Sequence, residues 1–136
     1  MRVVLDTNVL VAALLNPDRG PARALNMVLN GELRLLYDNR ILFEYQDVLS
    51  RERFGFPVED VHPLLDFIEQ AGEYISATPV EEALEDTDDT PFFEVAISGR
   101  ADYLVTGNKR HFPKDPRVVT PTELLESVRR DRKAQK

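Results

Sequence analysis

The run Val3-Val4-Leu5 constrains this chain more than any other stretch, because it is apolar on both faces and stops abruptly at Asp6. A strand with no polar face has to lie inside a sheet covered on both sides, and central parallel strands are built that way. Residues 2–5 are therefore predicted to form a central strand, followed by a helix over about Val9–Leu15. The pattern then repeats. A loop at Asn16–Pro21 leads to a helix over about Ala22–Asn30, stopped by Gly31 in the usual C-terminal position. A strand is predicted at Leu33–Tyr37. The next helix begins near Asn39 or Arg40, with Ile41, Leu42, Tyr45, Val48 and Leu49 on one buried stripe. A fourth helix spans about Val58–Ala71, bent near Pro63, and a short strand is predicted at Tyr74–Ala77. Pro91 suits the first turn of a fifth helix ending near Gly99. Strands at Tyr103–Thr106 and Val118–Thr120 precede a last helix from about Thr122. Strands alternating with helices imply an α/β fold with a mainly parallel sheet. No repeat or linker interrupts residues 1–136, which read as a single domain.

Composition narrows the function. No apolar run approaches the roughly 20 residues of a membrane span, and the apolar N-terminal stretch is too short for a signal peptide. With no cysteine, disulfides and thiolate metal sites are excluded. A cytoplasmic protein with no membrane partner is the simplest expectation. The net charge is −7, from 17 basic and 24 acidic residues. That total does not suit a phosphate-rich partner, but its distribution is uneven. Residues 127–136 carry five basic side chains and one acidic, and read as a basic, fraying helix end. Residues 81–89 carry six acids and no base.

Three acids stand where elements begin or end: Asp6 after the first strand, Glu44 in the first turn of the third helix, and Asp89 just before the fifth. Ligands of open parallel sheets bind outside the carboxyl ends of the strands. Each acid also has an ordinary role open to it. Asp6 can cap the following helix, Glu44 can answer the helix dipole, and Asp89 can belong to a solvated acidic loop with Asp86 and Asp88. Glu94 shares the fifth helix but lies with Ser98 away from its apolar side, and is left out of the site. After the strand ending at Thr106, Asn108 can offer a carbonyl oxygen to an ion or its water. Lys109, Arg110 and His111 can hold phosphate. His111 has no partner at zinc-ligand spacing. Arg19, Arg23, Arg40, Arg51 and Arg53 are candidates for a substrate rim. Converging carboxylates repel one another and ordinarily need a cation, which points to a metal-dependent enzyme acting on phosphate esters, RNA foremost.

The chain resembles the PIN-domain ribonucleases, specifically the small bacterial and archaeal VapC-like toxins of toxin–antitoxin pairs. The resemblance rests on the opening Val3-Val4-Leu5-Asp6-Thr7-Asn8-Val9-Leu10, on Glu44 within Leu42-Phe43-Glu44-Tyr45, on residues 86–96 and 101–108, and on the closing Val118-Val119-Thr120-Pro121-Thr122-Glu123. It covers nearly the whole chain. It implies a three-layer α/β/α domain with four to five strands, and Mg²⁺- or Mn²⁺-dependent hydrolysis of RNA. It further implies a cognate antitoxin and a homodimer. Asp6, Glu44 and Asp89 fall on the family's metal-binding acids; Thr7, Asn8 and Thr106 are read as groups that support them. A fourth acidic position of many members falls on Asn108. An amide there removes one negative charge and weakens the claim on a second ion; Asp86 or Asp88 can compensate. A catalytically inactive PIN-like binding module is the main alternative. A receiver-type signalling domain needs a phosphoacceptor after the middle strand, where Asp38 is poorly placed. A haloacid-dehalogenase-type phosphatase needs an acid at Asn8.

Overall fold

The computed structural model describes residues 1–134, so Gln135 and Lys136 of the basic tail lie outside the described residues. Five strands, β1 (Arg2–Leu5), β2 (Arg34–Tyr37), β3 (Glu73–Tyr74), β4 (Tyr103–Val105) and β5 (Val118–Val119), form one sheet in the order β3-β2-β1-β4-β5. Every pairing is parallel. β1 is central, and Val3, Val4 and Leu5 are each 0% exposed, as a strand covered on both faces requires. Six helices complete the fold: α1 (Thr7–Leu15), α2 (Gly20–Leu29), α3 (Asn39–Leu49), α4 (Val58–Ala71), α5 (Thr90–Ser98) and α6 (Pro121–Ala134). The chain steps from β1 to β2 to β3 in one direction, then crosses back through α5 to β4. With right-handed crossovers, that reversal places α5 on the opposite face from α1–α4, giving three layers. Among the described residues, no helix is long and apolar enough to cross a membrane.

Local chemistry sets the element boundaries. Asp38 caps α3 by accepting from the Ile41 N–H at 3.0 Å, so the helix starts at Asn39. Glu44 is then the sixth helical residue and lies in the second turn, not the first. Gly31, at φ 86°, leaves α2 in the left-handed conformation that glycine tolerates best. Gly72 ends α4 where a Cβ would stand 2.5 Å from the Ile68 carbonyl and 2.9 Å from that of Leu35. That close approach lets α4 turn directly into β3. The expected strand at Tyr74–Ala77 is shorter and earlier, at Glu73–Tyr74, with Ile75 adding one bond to Tyr37. Two 3₁₀ turns, Thr87–Asp89 and Lys109–His111, were not foreseen. α4 runs through Pro63 without a break, and α6 continues through the basic stretch to Ala134.

The order of strands decides where a ligand can sit. β1 has β2 on one side and β4 on the other, and the chain reverses direction between them. Such a switch point opens a crevice at the carboxyl ends of the two strands. The amino ends are closed instead: the Arg2 guanidinium reaches Glu73 at 2.6 and 3.1 Å and donates to the Gly99 carbonyl at 2.6 Å.

Candidate active site

Asp6 leaves β1 at that switch point. Its backbone N–H still bonds the Val105 carbonyl at 2.9 Å, so the residue is held against β4 before its side chain is considered. It occupies the N-cap of α1, yet its carboxylate makes no capping bond. It accepts instead from the Thr106 hydroxyl at 2.8 Å, and both residues are buried. The Thr106 oxygen in turn accepts from the Asn108 N–H at 3.0 Å, while Asn8 accepts from the Gly107 N–H at 3.2 Å. Thr106 and Asn8 thus tie the exits of β1 and β4 together.

Glu44 comes to this crevice on α3, where the Thr7 hydroxyl donates to its carboxylate. Its neighbour Tyr45 explains the placement. Tyr45 is fully buried and donates its hydroxyl to the Leu5 carbonyl at 2.5 Å, beyond the last β1–β2 residue pair at Val3. The same ring packs against Phe92 of α5, centroid to centroid 6.2 Å. Phe92 follows Asp89 by three residues, about one helical turn. Two buried aromatics therefore fix the helices whose acids reach the water edge.

The resulting electrostatics are unfavourable for three ionised carboxylates. Burial pushes the Asp89 carboxyl up to about 6, with Asp6, Asp86 and Glu44 pushing the same way and His111 opposing. Burial also raises Asp6 above the usual carboxylate range, against the Thr106 hydrogen bond. Glu44 is raised by burial and by Asp6, Asp88 and Asp86, against the Thr7 hydroxyl. Asp89 Oδ2 is buried and accepts no hydrogen bond. An unsatisfied buried carboxylate oxygen is costly, and an all-oxygen donor set beside it suits a hard divalent cation. Charge and donor type therefore fit Mg²⁺ or Mn²⁺. Among the described residues, though, no three His, Cys, Asp or Glu side chains are already grouped to enclose an ion. Asp6 and Glu44 are turned instead toward Thr106 and Thr7.

The remaining candidates separate. Asp86 and Asp88 are exposed on the 3₁₀ turn, where Asp86 accepts from the Asp88 N–H at 2.9 Å. Asn108 is exposed at the β4 exit, beside exposed Arg110. Lys109 is engaged by Glu123 at 3.0 Å. Arg40 is not free for a substrate rim: it bridges Asp38 and Glu94, both at 2.7 Å. Glu94, expected on the open side of its helix, is buried and also accepts from the Val80 N–H at 2.9 Å. Arg51 pairs with Asp47, and Arg53 lies over the Phe54 ring. Sequence reasoning missed Tyr45 as a positioning group and the approach of His111 to Asp89. Both depend on residues distant in sequence.

A family model described as PIN domain matches residues 2–110, a span that contains Asp6, Glu44, Asp89 and Asn108. No curated protein matches the sequence. Among solved structures, a chain of VapBC2 from Rickettsia felis, crystallised bound to a DNA fragment from its promoter, has a similar fold. It shares 19% identity at a TM-score of 0.55, over 88% of this chain and 97% of that one.

Proposed function

The chain belongs to the PIN-domain family, and on that footing we propose that it is a Mg²⁺- or Mn²⁺-dependent endoribonuclease, the toxin of a toxin–antitoxin pair. One observation carries the reading. Asp6, Glu44 and Asp89 arrive from three separate elements at the sheet's switch point, all with raised pKa, and one of their buried oxygens is left without a partner. The fold shared with a chain of the VapBC2 complex supports an antitoxin partner; a homodimer is expected from the family resemblance alone.

Asp6, Glu44 and Asp89 hold the ion, directly or through water. When bound, the ion supplies Lewis acidity, lowering the pKa of a water and taking up charge on the phosphoryl oxygens. The chain does the rest. Thr106 and Thr7 aim two of the carboxylates, Asn108 offers an amide oxygen to a water, and Arg110 offers a cation to the RNA backbone. Asp86 and Asp88 add negative charge at the rim, which repels RNA until the acids are neutralised. RNA binding is therefore itself ion-dependent.

The test is cleavage of single-stranded RNA with Mn²⁺ by the purified protein and by Asp6→Asn and Asp89→Asn. Either substitution should lower the rate at least a hundredfold, and unchanged cleavage removes the assignment. Growth arrest on expression, relieved by Asp6→Ala, tests the toxin role. A second reading, an inactive PIN-like binding module, draws on Asn108 and on the ungrouped carboxylates. It predicts no Mn²⁺ heat dependent on Asp6.

A further inference from the structure

Resting on the ion-dependent reading above, we propose that His111 is a fourth ligand of the site, a nitrogen donor that biases it toward Mn²⁺ over Mg²⁺. The 3₁₀ turn Lys109–His111 leaves β4 immediately after Asn108, and the His111 N–H closes it on the Asn108 carbonyl at 3.0 Å. Asn108 is the N-cap of that turn, outside its helical conformation, and the bond folds His111 back toward it. Where Asn108 contributes no charge, the turn sets an imidazole beside Asp89. The buried Phe112 behind it anchors the turn to the core.

His111 faces Asp89 Oδ2, the buried side-chain oxygen without a hydrogen-bond partner among the described residues. Its Nδ1 stands 3.6 Å from Asp89 Oδ2, too far for a hydrogen bond. Two ligands at right angles on one ion, each about 2.1 Å away, stand about 3.0 Å apart. A small side-chain rotation closes the difference. His111 itself is reachable: it lines an open concavity of about 430 Å³ with Glu85, Asp86 and Thr87. Carboxylates alone suit Mg²⁺ and Mn²⁺ alike. An imidazole favours the later transition ions, and Mg²⁺ accepts nitrogen poorly.

The chain has two histidines, and the other, His62, is exposed on α4, so the test can be spectroscopic. Pulsed electron paramagnetic resonance of the Mn²⁺-loaded protein should show imidazole-nitrogen modulation of the electron spin echo, abolished in His111→Asn and kept in His62→Asn. Calorimetry at pH 8 should show the Mn²⁺/Mg²⁺ affinity ratio falling about tenfold or more in His111→Asn, most of it from weaker Mn²⁺ binding. Mn²⁺ bound without nitrogen modulation, or an unchanged ratio, overturns the role of His111 while leaving the three-acid site standing. No binding of either ion overturns the underlying reading as well. Far-UV circular dichroism confirms that each variant is folded, and His111→Gln supplies a second substitution if His111→Asn is not.

Discussion

Asp89 carries the sharpest conflict between stability and chemistry in the molecule. Its carboxyl, ordinarily near 3.8, is pushed to about 6 by burial and by neighbouring acids. A folded-state pKa raised above the unfolded one means that the folded state binds the extra proton. The contribution to stability is then complete below the unfolded value and is lost as pH rises through about 6. The full shift corresponds to about 3 kcal/mol as a ceiling, and solvent screening at the crevice edge reduces it to roughly 1–2 kcal/mol. In chelator, Asp89→Asn should therefore raise the melting temperature at pH 8 by roughly 4–8 °C, with no gain at pH 3.5, while abolishing cleavage. Thermal unfolding at the two pH values decides it, and a lower melting temperature at pH 8 contradicts the argument. Arg40 shows the opposite arrangement. It sits between Asp38 and Glu94, and those two acids are satisfied without an ion. Neither the strain at Asp89 nor the relief at Glu94 can be read from a helical pattern, because the deciding partners, Asp6 and Glu44 for one and Arg40 for the other, come from other elements.

Helix α3 shows how an element converts core packing into site geometry. Its apolar stripe was legible from period alone, whereas β1 was legible from an apolar run with no polar face and α5 from Pro91 at its start. What period does not give is the rotation and depth of a helix against its neighbours. Those depend here on Tyr45, whose hydroxyl takes up the Leu5 carbonyl just before Asp6, and on its packing with Phe92. Asp38 fixes the other end by capping, at the start the sequence led one to expect, so Glu44 stands sixth in the helix and in its second turn. The two 3₁₀ turns escaped notice for a related reason: three residues have no period to detect. Tyr45→Phe keeps the ring and removes only the lock. It leaves a buried carbonyl unpaired and should cost about 1–2 kcal/mol. The helix carrying Glu44 then loosens against the strand carrying Asp6. The expected result is a several-fold fall in kcat with KM little changed, alongside a lower urea midpoint. Unchanged kcat would place the control of Glu44 elsewhere, in its bond to Thr7.

For the whole molecule, the sheet divides labour between its ends. The amino ends are stitched by Arg2 to Glu73 and to the Gly99 carbonyl. The carboxyl ends hold acids that repel one another, borne by the exit of β1, by α3 and by the entry to α5. An ion bridging the three acids links those elements in the folded state and finds no such site in the unfolded chain, so its binding energy adds directly to stability. At a hundred times Kd the gain is about 2.7 kcal/mol, roughly 10 °C for a chain of this size. Mn²⁺ should thus raise the melting temperature in proportion to the logarithm of its concentration above Kd. Asp6→Asn should abolish that rise even if its own metal-free stability is higher. Differential scanning fluorimetry against a Mn²⁺ series separates the two quantities. An equal rise in Asp6→Asn would mean that the ion binds elsewhere, and the exposed acids of residues 81–88 would then be the place to look. A rise confined to the native sequence would instead show that the acids which destabilise the empty crevice hold the loaded one together.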